Sequence, residues 1–164
     1  MLQVNVAAPL DLTSRLLPEL RERGGAVINV ASVSAFQPTP YLATYGAGKA
    51  FLLNWSLALH EELRAHGIPV QALCPGPTRT EIFRRAGLSL GEKEEAGLAT
   101  VEAVVRASLR GLAHGRPLVV PGWRNKVLAT CSGTLPRAWA AWLSGRVLAR
   151  YRLKQLTPRA EGVQ

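Results

Sequence analysis

Apolar positions along the chain switch between helical and strand spacing, and the switches are punctuated by glycine and proline. Over residues 5–23, Val6, Leu10, Leu17 and Leu20 recur at the spacing of one helix face. Pro18 inside this stretch predicts a kink, and Gly24-Gly25 predicts the stop. Residues 26–31 (Ala-Val-Ile-Asn-Val-Ala) form a short apolar run rich in branched side chains, which reads as a buried strand. Gln37-Pro38-Thr39-Pro40 then forbids helix. A second helix is predicted over 42–66, with Leu52, Trp55, Leu59 and Leu63 as its stripe and Gly67 as its end. Pro69 opens a second strand over 70–74. A third helix follows over 98–113, with Val101, Val104, Val105, Ala107, Leu109 and Leu112 apolar and Gly115 closing it. The run 117–121 is a third strand whose flanking prolines suit a sheet margin. A last helix is expected over 137–153, weakest at Gly145.

This alternation gives an α/β class, with parallel strands flanked by helices. Its 164 residues suit one domain with a sizeable core. With 48% hydrophobic and 19% charged residues the composition is globular, not disordered. No uninterrupted apolar stretch is long enough to span a bilayer, and no basic-then-apolar leader pattern opens the chain. Cys74 and Cys131 make neither a disulfide framework nor a metal site, and Cys74 reads as a small buried residue. The simplest compartment is the cytoplasm. No internal repeat or low-complexity segment is present.

The chemistry concentrates around the second helix. Tyr45 and Lys49 are four apart, so they share a helix face. An ammonium beside a phenol favours the phenolate, and such a phenol can exchange a proton with an alcohol or carbonyl. Ser32 ends the first strand, thirteen residues before Tyr45. In parallel α/β sheets ligands gather outside the carboxyl ends of strands. Asn5 lies twenty-seven residues before Ser32, and Pro75-Gly76-Pro77-Thr78-Arg79-Thr80 follows the second strand. Taken singly, Asn5 could cap a helix, Ser32 could be a polar loop residue and Thr80 could cap a short helix. Pro75-Gly76-Pro77 could be an ordinary turn.

In register, these pieces resemble the short-chain dehydrogenase/reductase family over residues 1–122. The matching residues are Asn5, Ser32 with its leader Ile28-Asn29-Val30-Ala31, Tyr45 with Lys49, and Pro75-Gly76 with Thr80. The resemblance implies a partial Rossmann-type doubly wound parallel sheet. It also implies NAD(P)-dependent interconversion of a ketone and a secondary alcohol, with NAD or NADP as the cofactor. Tyr45 takes the place of the general acid/base, and Lys49 that of the cation which tunes it and bonds the cofactor's ribose. Ser32 stands where the substrate oxygen is bound, and Asn5 where a water completes a proton relay. Pro75 and Gly76 match the backbone that packs on the nicotinamide, and Thr78 and Thr80 belong to the same cofactor-binding set. By the same resemblance the loop 37–40 borders the substrate pocket and residues 79–97 form a lid. The two long helices pair between subunits of a homo-oligomer. The implied substrate is a small carbonyl or alcohol; the apolar residues around the lid and the basic tail lead to the expectation of a lipid-like ketone or one borne on an acyl carrier.

One family feature is missing. No glycine-rich phosphate-binding turn follows a strand near the N-terminus, and no Asn-Asn-Ala-Gly segment is present. The chain therefore reads as the C-terminal part of a family member, truncated or begun late. The expected three-stranded sheet leaves an open edge beside the first strand, which predicts poor solubility or a pairing partner.

Charge divides the chain unevenly. Residues 1–102 hold nine Lys/Arg against ten Asp/Glu, and residues 103–164 hold eleven against Glu161 alone, a net of −1 followed by +10. The basic tail, residues 123–164, carries Trp123, Trp139 and Trp142 among its arginines. It invites an anionic partner. A solvated basic helix packing its aromatics on the core and a membrane-surface contact both fit, and the absence of any known reader motif argues against nucleic acid. Arg146 and Arg150 between the tryptophans spoil a clean amphipathic face. The alternative to an enzyme is a non-catalytic remnant that binds an anionic surface or partner protein through this tail.

Overall fold

The computed structural model describes residues 1–80 and 97–156, the side chains of 150–156 excepted. It forms three parallel strands between helices. A π-helical turn, Gln3–Ala7, runs into α1, Ala8–Arg23, which passes through Pro18 and stops at Gly24 (φ 72°). Strand β1 is Val27–Val30, followed by a short 3-10 helix, Val33–Phe36. Helix α2, Ala43–Arg64, leads to β2, Val70–Leu73. Helix α3, Val101–Ala113, leads to β3, Leu118–Val119. Two further helices close the chain: α4, Trp123–Thr134, and α5, Arg137–Leu156.

The sheet order is β1-β2-β3, all parallel, with Val27 opposite Val70 and Leu73 opposite Val119. Central β2 is buried at every position, as expected of a strand covered on both faces. Val70 and Ala72 meet α1 and α2 through Leu17, Leu20, Leu53, Leu59 and Leu63. Leu73 and Val119 meet α3 through Val104 and Ala107. The buried Val70 and Leu63 side chains each contribute about 1.5–3 kcal/mol.

Two buried polar clasps fix the helices to the strands. Asn29 on β1 donates to the Ser56 hydroxyl on α2 (2.9 Å), and Ser56 donates to Leu52 O (2.6 Å). On the other face Gln71 is fully buried. Its carbonyl accepts from the Ser108 hydroxyl (2.6 Å), and its amide nitrogen donates to Ser108 O and Arg116 O. Among the described residues no buried side-chain polar atom is left without a partner.

Several expectations are corrected. Asn5 does not begin the first helix, because helical backbone starts before it in the π turn. The third helix starts at Val101, not Leu98, because the Thr100 side chain accepts from Ala103 N (3.2 Å) and caps it there. Only Val104 of its expected apolar set is buried. Val101, Val105 and Leu109 are exposed, as are Ile28 and Val30 of β1. By register Ile28 and Val30 share the α3 face of the sheet with Gln71 and Leu73, so this apolar surface continues past the point where the sheet ends at β1. Helix α4 was not expected from the sequence, and the last helix extends to Leu156. The expected lid falls largely on residues 81–96, outside the described residues. No helix among the described residues is long and apolar enough to cross a membrane.

Candidate active site

The site lies at the carboxyl ends of β1 and β2, where the chain leaves the sheet. Backbone pairing continues past the strands. Ala31 N donates to Leu73 O (2.8 Å), Cys74 N to Val119 O (2.8 Å) and Val33 N to Pro75 O (3.0 Å). These bonds hold Ser32 and the Cys74-Pro75-Gly76 segment side by side.

Ser32 is buried, and its Oγ accepts from Ser34 N (3.1 Å) at the start of the 3-10 helix. The bland reading of Ser32 is therefore true as far as it goes, since it caps that turn. A hydroxyl held as an acceptor still has its proton to give, and no described residue accepts it.

Tyr45 and Lys49 occupy one face of α2, with the Lys49 Nζ 5.8 Å from the Tyr45 ring centroid. The same Nζ donates to Val30 O at the end of β1 (2.7 Å). Burial pushes the Lys49 pKa below the usual lysine value, and the Cys74 sulfur nearby pushes weakly the other way. Burial likewise raises the Cys74 thiol from 9.0 to about 11, against the opposing pull of the Ser32 backbone N–H and the Lys49 ammonium. Ser32, Lys49 and Cys74 thus share one electrostatic neighbourhood.

Asn5 is brought to the same helix. Its Cβ lies 3.4 Å from where a Cβ on Gly48 would sit, so the π turn packs on α2 one residue from Lys49. The Asn5 side-chain amide donates back to Met1 O (3.1 Å), and Asn5 is not a helix cap. π turns are rare and concentrate at functional sites.

Pro75 and Gly76 follow β2 directly. Gly76 has no room for a side chain, because an added Cβ would fall 2.5 Å from the Asn125 amide. Asn125 is anchored by its own bond to Pro121 O (2.7 Å), so α4 presses its first turn onto the Pro75-Gly76 backbone. Thr78 donates to Gly76 O (2.9 Å) and bridges Ala99, and Thr80 is exposed.

Three residues around the site were given no role in it by residue type alone. The Cys74 thiol faces Lys49 and Ser32, Asn125 covers Gly76, and Thr39 wedges against Gly46, beside Tyr45. The Thr39 hydroxyl donates to Leu42 O (3.2 Å), and its Cβ and Cγ2 lie 3.1 and 3.3 Å from a Gly46 Cβ position. Only a bare glycine lets the loop 37–42 lie this close to α2. Small size and spacing of these three residues carry no chemical signal in sequence. Among the described residues there is no cluster of three metal-ligating side chains. An open depression on α3, between Thr100 and Arg110, contains none of these residues.

The comparisons with known proteins give the family and the fold. The family model of short chain dehydrogenases matches residues 1–91. Hydroxysteroid dehydrogenase-like protein 1 of Gallus gallus is 33% identical over 162 residues, 98% of this chain and 48% of that protein. A very-long-chain 3-oxoacyl-CoA reductase of Mycosarcoma maydis is 32% identical, covering 85% of this chain and 40% of its own length. A short-chain dehydrogenase of Sphingobium yanoikuyae, solved in complex with NADPH, superposes with a TM-score of 0.66 at 30% identity, over all of this chain and 58% of its own. The chain belongs to the short-chain dehydrogenase family. It spans about half the length of the curated relatives it matches.

Proposed function

We propose that the protein is an NAD(P)-dependent oxidoreductase that interconverts a ketone and a secondary alcohol. The observation that carries this reading is the position of Lys49: its partly desolvated ammonium lies against the Tyr45 ring while anchored to the end of the strand that delivers Ser32. The nicotinamide, when bound, supplies or accepts the hydride. The residues present suit its nicotinamide and ribose end. After its bond to Val30 O, Lys49 has two N–H donors for ribose hydroxyls, and the Pro75-Gly76 backbone, held from the other side by Asn125, would pack on the nicotinamide. Thr78 and Thr80 would complete that contact. The phosphate end requires a glycine-rich turn that residues 1–164 do not contain, so we assign its grip to further polypeptide.

In the reducing direction the Ser32 O–H donates to the substrate carbonyl oxygen and stabilises its growing charge. Tyr45 gives that oxygen its proton. The Lys49 charge then steadies the phenolate, and Asn5, packed one residue away, is placed to serve proton return through solvent. In the oxidising direction the same groups act in reverse.

The substrate proposed is a lipid-like ketone. The test is NADPH- or NADH-dependent reduction of a panel of 3-oxoacyl thioesters and steroid ketones, followed by nicotinamide absorbance. Turnover that falls by about 10²-fold or more in Ser32→Ala supports the assignment. Turnover unchanged by that substitution contradicts it.

A further inference from the structure

Helices α4 and α5 expose large apolar side chains within the most basic part of the chain. Trp123 is 71% exposed, Trp139 70% and Trp142 57%, and Val127, Leu143 and Val147 are exposed beside them. Residues 123–156 contain seven Lys/Arg and no Asp or Glu. Arg146, which spoils amphipathy on paper, lies over an aromatic ring instead. The Arg146 guanidinium sits 4.1 Å from the Trp142 ring centroid, and that of Arg124 5.4 Å from Trp123.

The opposite side of α5 is seated on the protein. Ala140 is buried, the Ser144 hydroxyl donates to Pro38 O (2.7 Å), and Gly145 abuts the Pro40 ring. The helix cannot roll to bury its tryptophans without breaking this seat. The outward direction of Trp139, Trp142, Leu143 and Val147 is therefore fixed by the fold.

We propose that the outer face of α4 and α5 docks the protein onto an anionic lipid bilayer. Tryptophan prefers the headgroup level, where its ring is apolar and its N–H wet. Arginines among such rings meet lipid phosphates in charge-assisted pairs. No helix among the described residues is long and apolar enough to cross the bilayer, so in this proposal α4 and α5 lie in its plane. A second copy of the chain is a poor occupant, since a two-fold contact would set these same positive charges against each other.

The test is co-sedimentation of the full chain with vesicles of phosphatidylglycerol and phosphatidylcholine, and with phosphatidylcholine alone. Binding is expected only to the anionic vesicles, weakening with salt. The double variant Trp139→Ala/Trp142→Ala and the single variant Arg146→Glu should each lower partitioning by about fivefold or more. Circular dichroism checks that both keep the fold, which the exposure of these side chains leads us to expect. Failure to bind anionic vesicles overturns the proposal, as does binding that survives both variants. So does loss of a self-associated species, with vesicle binding retained, in sedimentation of the tryptophan variant. Equal retention on DNA by the wild type and the tryptophan variant, without vesicle binding, also overturns it.

Discussion

The Nζ of Lys49 lies 2.7 Å from the carbonyl oxygen of Val30, tying the first turns of α2 to the end of β1. That bond, with the Asn29–Ser56 clasp, joins the helix that presents Tyr45 to the strand that delivers Ser32. It also holds the ammonium at the Tyr45 ring. Lys49→Met should lower turnover by about 10²–10⁴-fold, the range for loss of tuned proton transfer. Lys49→Arg should not restore it, because a planar guanidinium cannot reproduce a point charge with three donors. Steady-state kinetics of both variants checks this, and rescue by arginine would show that charge alone suffices.

Cys74 makes alkaline stability a readout of the site. Its thiol holds its proton in the folded chain up to about pH 11, whereas the unfolded chain releases it near 9.0. Between these values the unfolded state binds fewer protons, so stability falls as pH rises, by up to about 2–3 kcal/mol. Lys49 acts in the opposite sense. Its folded pKa is lowered, so the unfolded chain binds more protons across its window and stability rises with pH. Cys74→Ala should abolish the falling component. Urea unfolding of both proteins across this pH range measures the difference, and parallel curves would contradict the assignment.

Gly46 and Thr39 form a coupled pair. Gly46→Ala would drive a Cβ into the Thr39 side chain and push the loop 37–42 off α2 beside Tyr45. The expected cost is about 1–3 kcal/mol. Thr39→Ala removes the Oγ1 and Cγ2 that crowd this position and leaves only its Cβ, so the double variant should be more stable than the sum of the single effects implies. Denaturant unfolding of the four proteins gives the coupling energy, and strict additivity would rule out the contact.

How much of this was legible in the sequence depended on the kind of signal. Strands β1 and β2 announce themselves because short branched runs are bounded by glycine and proline. Tyr45, Lys49 and Ser32 stand out in sequence because their residue types and spacing carry chemistry; the contact of Lys49 with the end of the strand before Ser32 is seen only in the fold. Helix α4 was not legible. Gly122 before it offers no side-chain cap, and Ser132 is its one fully buried residue, so no apolar stripe marks it. Val101, Val105 and Leu109 read as core because hydrophobicity shows what can be buried, not whether a neighbouring strand is present to bury it. The Asn29–Ser56 and Gln71–Ser108 clasps join residues 27 and 37 positions apart, a distance at which polar pairing leaves no periodic trace. The packing of Asn5 on α2 and its bond to Met1 depend on a π turn that no residue pattern specifies.

The open edge of β1 has its own consequence. Its outer backbone groups pair with no described strand, and Ile28 and Val30 are exposed beside them. The 164-residue chain alone should self-associate through this edge. Sedimentation velocity checks this, and a monodisperse monomer that unfolds cooperatively would contradict it.

The account rests on the Tyr45 hydroxyl as the group that moves the proton. Its most direct test pairs turnover with nucleotide affinity in Tyr45→Phe, which removes one oxygen and leaves the ring in place beside Lys49. Turnover of every ketone should vanish while NADPH or NADH binds with nearly unchanged affinity. Turnover that persists at the wild-type rate would take Tyr45 out of the mechanism and the proposed function with it.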